Sequence, residues 1–260
     1  MSLHKLSLLL YVAGLLSLIL FFPAAGFAGR PLTIDDAEPV ARGDLELELG
    51  YSYNRPRQGG KERKWPLFSA TVGILNKLEA GLNIQRAHDD LRGEPPLDGF
   101  EDLNLSIKYL LLAERTSLPA LAFSFGLKIP TASRSKGLTT GRVDQNLLLL
   151  ATKNLQSLAV DLNLGYSVVD SPPGEKLKNR VLYGLALRWA AHKNWTLVGE
   201  IFGQSREAEG ESNEADFQIG FQFSLLPSLV LDSGLGRSLR SKGNKFQVTV
   251  GLTWTFGLGF

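Results

Sequence analysis

The sequence predicts an all-β fold, a transmembrane antiparallel β-barrel of about 12 strands, and three observations carry this prediction. Apolar residues alternate with small or polar residues along most of the chain after residue 44. Short and long connections between the alternating segments follow one another in turn. Beyond the N-terminal segment, no apolar run approaches the roughly 20 residues of a transmembrane helix. A strand satisfies its backbone within a bilayer only inside a closed barrel, so the pattern predicts one.

The N-terminal segment has the order of a secretory signal peptide. Lys5 precedes an apolar run from Leu6 to Phe22, and small residues follow up to Ala28. We therefore predict a signal peptide over residues 1–28, a periplasmic leader over residues 29–43 and an outer-membrane β-barrel over residues 44–260. The leader contains two prolines and shows no periodicity, so we expect it to be irregular.

Eleven strands are predicted before the terminal one. They are placed at residues 44–54, 65–75, 77–87, 101–112, 119–129, 142–152, 156–168, 180–190, 194–204, 215–225 and 228–237. In most of them one face is apolar, because successive side chains of a strand point to opposite sides. Two strands depart from the pattern. The run from Leu147 to Leu150 is continuously apolar, and Val198 and Phe202 stand beside Glu200 on the inward face.

The last predicted strand, residues 245–260, alternates most strictly. Its apolar series ends in Trp254, Phe256, Leu258 and Phe260. This ending resembles the signal by which the outer-membrane assembly machinery recognises its substrates, although Thr255 stands where that pattern has glycine. The sequence therefore predicts the barrel assembly machinery as a partner.

The connections predict the orientation of the barrel. Short links are expected at residues 76–77, 113–118, 153–155, 191–193 and 226–227, and long links at 55–64, 88–100, 130–141, 169–179, 205–214 and 238–244. Outer-membrane barrels have tight periplasmic turns and longer extracellular loops. Both termini are therefore expected in the periplasm, and the expected location is the bacterial outer membrane.

Charged residues at inward positions are the candidates for lining the lumen. They are Glu46, Glu48, Glu79, Asp102, Lys108, Lys128, Asp161, Arg188, Glu200, Asp216 and Asp232. Charges in a barrel interior either line water or pair with each other. The set is compatible with a polar permeation path and equally with ion pairs that fill the barrel.

Other chemistries find little support in the sequence. The chain has no cysteine, which excludes thiolate metal sites and thiolate nucleophiles, and its near-neutral charge after removal of residues 1–28 argues against nucleic acid as a partner. No metal site and no cofactor are predicted. His88 and His192 are the histidines left, and neither stands beside a serine that it could activate. His88 with Asp89 and Asp90 is read as a solvated loop, so no enzymatic role is predicted.

Two stretches resemble a known family. The first contains Arg30, Pro31, Leu32, Asp35, Asp36, Ala37, Gly43 and the strand start Leu45, Glu46 and Leu47; the second contains residues 126–131, Gly137, Leu138, Gly141 and Asp144. Together they resemble the outer-membrane transporter family named for the meta-cleavage pathway of phenol degradation. The chain departs from it at Ile34, where threonine is usual, and at Ala132 and Ser133, where Gly-Asp is common.

The resemblance implies a barrel for passage of small molecules, including aromatic or apolar solutes. In that setting Arg30, Asp35 and Asp36 are candidates for a plug inside the barrel, with a flexible leader as the alternative. The predicted function is a passive outer-membrane channel. The alternative is a structural or adhesive barrel with a filled lumen, whose basic loops bind lipopolysaccharide or a partner.

Overall fold

The computed structural model describes residues 29–174, 176–206, 208, 210 and 212–259. The predicted signal peptide and Phe260 of the predicted assembly signal lie outside these residues. No helix within the described residues is long and apolar enough to cross a membrane.

The described residues form thirteen strands and one 3₁₀ turn, Arg134–Lys136. The strands are β1 (Asp44–Pro56), β2 (Gly60–Leu75), β3 (Leu78–Leu91), β4 (Leu97–Phe100), β5 (Leu103–Leu112), β6 (Ala120–Ile129), β7 (Asp144–Leu155), β8 (Leu158–Val168), β9 (Arg180–His192), β10 (Trp195–Gln204), β11 (Glu214–Leu226), β12 (Leu229–Ser238) and β13 (Asn244–Gly257). Strands β4 and β5 both pair with β3, and they form one wall strand interrupted at Glu101 and Asp102. The wall therefore has the twelve strands predicted from the sequence.

The barrel is closed and antiparallel throughout. Each wall strand pairs with its neighbour in the chain, with β4 and β5 counted as one, and β1 also pairs with β13 from Asp44↔Gly257 to Pro56↔Asn244. Closure leaves no free sheet edge, as a strand wall in a membrane requires. The predicted fold class is confirmed. We call the end with the turns at 76–77, 156–157, 193–194 and 227–228 the short-turn end, and the other the long-loop end.

The first long connection was predicted wrongly. Strands β1 and β2 continue to Pro56 and from Gly60, so residues 57–59 alone form the turn. Gly59 and Gly60 adopt positive φ angles of 104° and 92°, which a tight turn needs. His88, expected in a loop, lies on β3 and pairs with Asp98 of β4. Here strand pairing extends past the length that the alternation indicated.

Large apolar side chains cover the outside of the barrel. In β7, Leu147 and Leu149 are 38% and 56% exposed, whereas Leu150 is 2% exposed. The ambiguous run in the sequence is therefore resolved: Leu148 and Leu150 point inward. Inside, Leu150 joins Leu110, Ala120 and Ala122 in a small core cluster, against which Leu148 packs.

Candidate functional site

The leader, residues 29–43, runs inside the barrel lumen instead of lying outside it. Its backbone amides donate hydrogen bonds to inward side chains of the wall. Thr33 and Ile34 donate to the Glu200 carboxylate at 2.9 and 3.2 Å. Ala37 donates to Thr152 Oγ1 at 2.9 Å, and Val40 donates to Glu79 Oε2 at 2.5 Å. An irregular segment has no ladder partners, so the wall side chains supply the acceptors that its buried amides need.

Arg30 anchors the start of the leader on the side of the barrel where β1 meets β13. Its guanidinium lies 3.4 Å from Asp232 Oδ2 and donates to Thr249 Oγ1 at 2.6 Å and to the Val250 carbonyl at 3.2 Å. Gly50 and Gly251 leave the space for this guanidinium, since a Cβ at either position would overlap it. The predicted lumen residue Asp232 is thus a partner of the predicted leader residue Arg30.

The middle of the leader carries two acids that meet two buried bases. Lys108 Nζ lies 3.0 Å from Asp35 Oδ2 and 3.2 Å from Glu79 Oε1. The Arg188 guanidinium lies 3.2 Å from Asp36 and binds Asp161 through contacts of 2.6 and 2.9 Å. These contacts compensate the charges that burial would otherwise penalise.

An apolar contact completes the fit of the leader. Ala37 is fully buried and belongs to the core cluster with Leu110, Ala120, Ala122 and Leu150. The leader covers the inward apolar residues of β7, and this explains why they interrupt the alternation of that strand.

The remaining predicted lumen residues form groups away from the centre of the leader. Glu46 and Glu48 accept from Thr255 Oγ1 and Ser69 Oγ at 3.3 and 2.8 Å, towards the short-turn end. Lys128 lies 2.6 Å from Asp144 and 3.8 Å from Asp102, towards the long-loop end. Asp216 accepts from Gln247 Nε2 at 3.0 Å.

The leader lies between two cavities. One, of about 700 Å³, opens at the short-turn end and is lined by the leader together with Glu46, Glu48, Pro227 and other wall residues. The other, of about 310 Å³, lies towards the long-loop end and has Thr33 and Ile34 in its lining. The segment therefore occupies the lumen between the two cavities.

Sequence reasoning missed the amides and hydroxyls that hold the leader backbone. Gln218 and Gln222 donate to the carbonyls of Pro31 and Arg30 at 2.6 and 2.5 Å. Asn163 accepts from the Asp35 amide at 3.0 Å and donates to the Asp35 carbonyl at 2.6 Å. All three are inward residues of alternating strands, so the pattern gave their direction but not their partner.

A histidine–carboxylate pair lies at the long-loop end. His88 Nδ1 is 2.7 Å from Asp98 Oδ1, and Arg86 contacts the same carboxylate at 3.0 Å. Among the described residues, no group of three or more His, Cys, Asp or Glu could hold a metal ion.

Comparison with known proteins gives the family. The family model described as "Putative MetA-pathway of phenol degradation" matches residues 28–256. The chain belongs to this family. The predicted family resemblance is confirmed, whereas no curated protein matches the chain.

Solved structures show the same fold at low sequence identity. The COG4313 outer membrane channel from Pseudomonas putida F1 is 15% identical, with a TM-score of 0.68 over 86% of this chain and 100% of that chain. The KdgM porin is 10% identical, with a TM-score of 0.53 over 80% of this chain and 99% of that chain. The translocator domain of the autotransporter NalP from Neisseria meningitidis is 12% identical, with a TM-score of 0.50 over 82% and 88%. This member of the family therefore has the fold of bacterial outer-membrane barrels.

Proposed function

We propose that this protein is a passive outer-membrane channel for small molecules, and that the leader closes it reversibly from within. In this proposal both termini face the periplasm and the long loops face outward. The observation that carries it is the leader itself: an irregular segment, not the side chains of the wall alone, fills the middle of the lumen between two cavities. The likeness to the COG4313 outer membrane channel supports the same role.

The contacts of the leader are of a kind that can be released. A hydrogen bond inside a protein contributes about 0.5–1.5 kcal/mol net, because water replaces it when it opens. The acceptors Glu200, Asn163 and Glu79 line a polar lumen that water can enter once the leader leaves. Among the described residues, Asp232 Oδ1 is buried without a hydrogen-bond partner, so the Arg30 anchor leaves part of its acceptor unsatisfied.

A filled structural barrel is the second candidate, and the ion pairs favour it. Lys108, Lys128 and Arg188, the three bases predicted to line the lumen, each lie within 3.2 Å of a carboxylate oxygen. In the conformation described here, these three bases are paired with carboxylates and do not line an open path. The two candidates differ in whether the leader ever leaves.

Solute uptake by liposomes tests the proposal. We expect the folded chain without residues 1–28 to admit arabinose and to exclude the larger sugar stachyose, because the lumen of a twelve-stranded barrel is narrow. A variant that also lacks residues 29–43 serves as the open control. If arabinose enters through the open control but not through the intact chain, the filled barrel is the better description.

We also propose that lipopolysaccharide phosphates bind one outer sector of the long-loop end. Arg55, Arg63 and Arg237 pair in register with Phe246, Tyr53 and Phe217, which share the apolar outer face. The three arginines make no ion pair with any carboxylate in the described part of the chain. Arg55 lies on β1, Arg63 on β2 and Arg237 on β12, so all three are close to the closure with β13. Beside them, Tyr51, Trp65 and His88 line an outer cleft of about 510 Å³ with Arg63. Guanidinium groups above an apolar surface fit a phosphorylated lipid.

Replacing Arg55, Arg63 and Arg237 together by glutamine is expected to weaken lipopolysaccharide binding about tenfold or more, since charge-assisted bonds to phosphate are lost. A binding titration of purified lipopolysaccharide against the detergent-solubilised barrel measures this loss of affinity. The matched control replaces Arg134, Lys136 and Arg142, which lie in the β6–β7 connection. Equal losses in both triple variants would show a general charge effect and remove the site.

Recognition by the assembly machinery remains a proposal. Trp254 is half exposed on the outer face of β13, its ring centre is 5.0 Å from that of Phe256, and Leu258 follows the end of the strand. The proposed role includes no bond-breaking chemistry, and the channel and porin likenesses support that reading.

A further inference from the structure

The guanidinium of Arg30 occupies a recess in the barrel wall that inward residues of three neighbouring strands form. Asp232 of β12 pairs with Gly251 of β13, and Gly251 pairs with Gly50 of β1, so the three residues form one row across the closure. A Cβ at either glycine would overlap the guanidinium. The recess therefore has a floor without side chains beside a carboxylate, and the guanidinium lies on this floor.

Asp232 is the charged residue of the recess. It is 4% exposed, and within the described residues its Oδ1 atom has no hydrogen-bond partner. Its other oxygen, Oδ2, lies 3.4 Å from Arg30 Nε. Guanidinium and carboxylate groups pair best through two parallel hydrogen bonds, one to each oxygen. Arg30 thus fills the recess but uses only part of its charged acceptor.

Two uncharged acceptors complete the recess. Arg30 Nη2 donates to Thr249 Oγ1 at 2.6 Å and to the Val250 carbonyl at 3.2 Å. Thr249 precedes Gly251 by two residues on β13, so both lie on the inward face. Together with Asp232, these atoms accept from several N–H groups at once and provide one negative charge. A planar cation with several N–H donors matches this combination.

We propose that this recess is a binding site for small guanidinium-bearing cations, which compete with Arg30 for it. The proposal rests on the proposed channel function, in which the leader is released reversibly. A free guanidinium is not tethered to the leader backbone, so it can turn two N–H groups towards the two oxygens of Asp232. An ammonium group lacks the planar fork of donors and fits the recess less well.

The recess is reached from the short-turn end of the barrel. Arg30 lines the cavity of about 700 Å³ that opens there, together with Glu46 and Glu48. Glu48 also accepts from the Arg30 backbone amide at 3.3 Å. Carboxylates along a cleft raise the local concentration of cations and lower that of anions. The entrance therefore favours the same charge as the recess.

A free cation and Arg30 cannot occupy the recess together. A ligand that binds only after Arg30 has left shifts the leader towards the state in which this anchor is open. Arg30 is attached to the chain, so it competes as an intramolecular ligand at an effective concentration in the millimolar range. Removal of its side chain should therefore raise the affinity of the recess for a free guanidinium.

Methyl NMR of the folded chain without residues 1–28, titrated in detergent with methylguanidinium at constant ionic strength, tests the site. With Arg30→Ala we expect saturable shifts of the Thr249 and Thr253 methyl resonances, which lie on either side of Gly251 on β13. With Arg30 present, binding should be weaker by about tenfold or more. Methylurea, which has nearly the same shape and no charge, should not bind in this concentration range. The methyl resonance of Thr152, on β7, should not shift.

Three substitutions in the Arg30→Ala background separate recognition from general attraction of cations. Asp232→Asn should weaken binding about tenfold or more, because a charge-assisted hydrogen bond is lost. Gly50→Ala keeps every charge and should weaken binding to a similar extent, because its Cβ takes the space of the guanidinium. Asp216→Asn is the matched control, on β11 towards the long-loop end, and should leave binding unchanged.

The site would be wrong if no saturable shift occurred, if methylurea bound as tightly as methylguanidinium, or if affinity were the same with and without Arg30. It would also be wrong if neither Asp232→Asn nor Gly50→Ala weakened binding. Heat-dependent gel mobility verifies that each variant is a folded barrel, and Gly50→Ala alone carries the test if Asp232→Asn does not fold.

Arabinose uptake by the same preparation separates failure of this site from failure of the channel. Uptake without saturable binding of methylguanidinium removes the site and leaves the channel. Binding without uptake leaves the site and removes the proposed function.

Discussion

Arg188→Met is expected to lower the free energy of unfolding by about 3–5 kcal/mol, the range found when one partner of a buried ion pair is removed. The guanidinium is 3% exposed and contacts Asp161, which is 2% exposed, and Asp36 of the leader. Methionine keeps much of the volume but leaves both acids without this cation. Urea unfolding in detergent or vesicles, followed by tryptophan fluorescence, measures the change.

The matched control is Arg142→Met at the long-loop end. Arg142 lies 3.8 Å from Asp170, and the two side chains are 40% and 57% exposed. Such a solvated pair contributes at most about 1 kcal/mol. If Arg188→Met lowered the free energy of unfolding no more than Arg142→Met does, water would be screening the lumen charges. Arg188 would then not compensate the buried charges of Asp161 and Asp36.

A disulfide between the leader and the wall is expected to keep the channel closed until it is reduced. The Ala37 amide donates to Thr152 Oγ1 at 2.9 Å, so these two positions face each other across the contact. The chain has no cysteine of its own, and Ala37→Cys with Thr152→Cys would introduce one pair that cannot exchange with others. The cross-link fixes the middle of the leader against β7, whatever the state of the Arg30 anchor.

The two single variants control for the substitutions. Thr152 Oγ1 donates to Asp161 at 2.8 Å, and Thr152→Cys weakens that hydrogen bond with or without a cross-link. Conductance of either single variant should not depend on reduction. If Thr152→Cys alone changed the conductance as much as the pair does, the effect would be assigned to the lost hydroxyl.

The wall of the barrel could be predicted closely because membrane strands repeat one physical rule. Outward residues meet lipid and inward residues meet a polar lumen, so periodicity alone gave the strand number and most strand positions. The rule failed where another contact replaced the lumen. Leu148 and Leu150 face inward because the leader and the cavity cover them, and no periodicity within β7 could indicate that.

The path of the leader could not be obtained from periodicity, because it has none. Its acids Asp35 and Asp36 were candidates for a plug, but their partners Lys108 and Arg188 lie far along the chain and on different strands. Its amides are held by Asn163, Gln218 and Glu200, whose inward direction was predictable and whose common target was not. Whether these contacts act as a plug stays a prediction.

The most direct test of the central claim is the single-channel conductance of the Ala37→Cys/Thr152→Cys barrel in planar bilayers, recorded before and after dithiothreitol. Closure by the leader predicts silence while the disulfide is intact and discrete conductance steps after reduction, reversed by reoxidation. Steps of the same size and frequency in both states, with the disulfide verified by mass spectrometry, would show that ions pass without displacement of the leader and would contradict the claim.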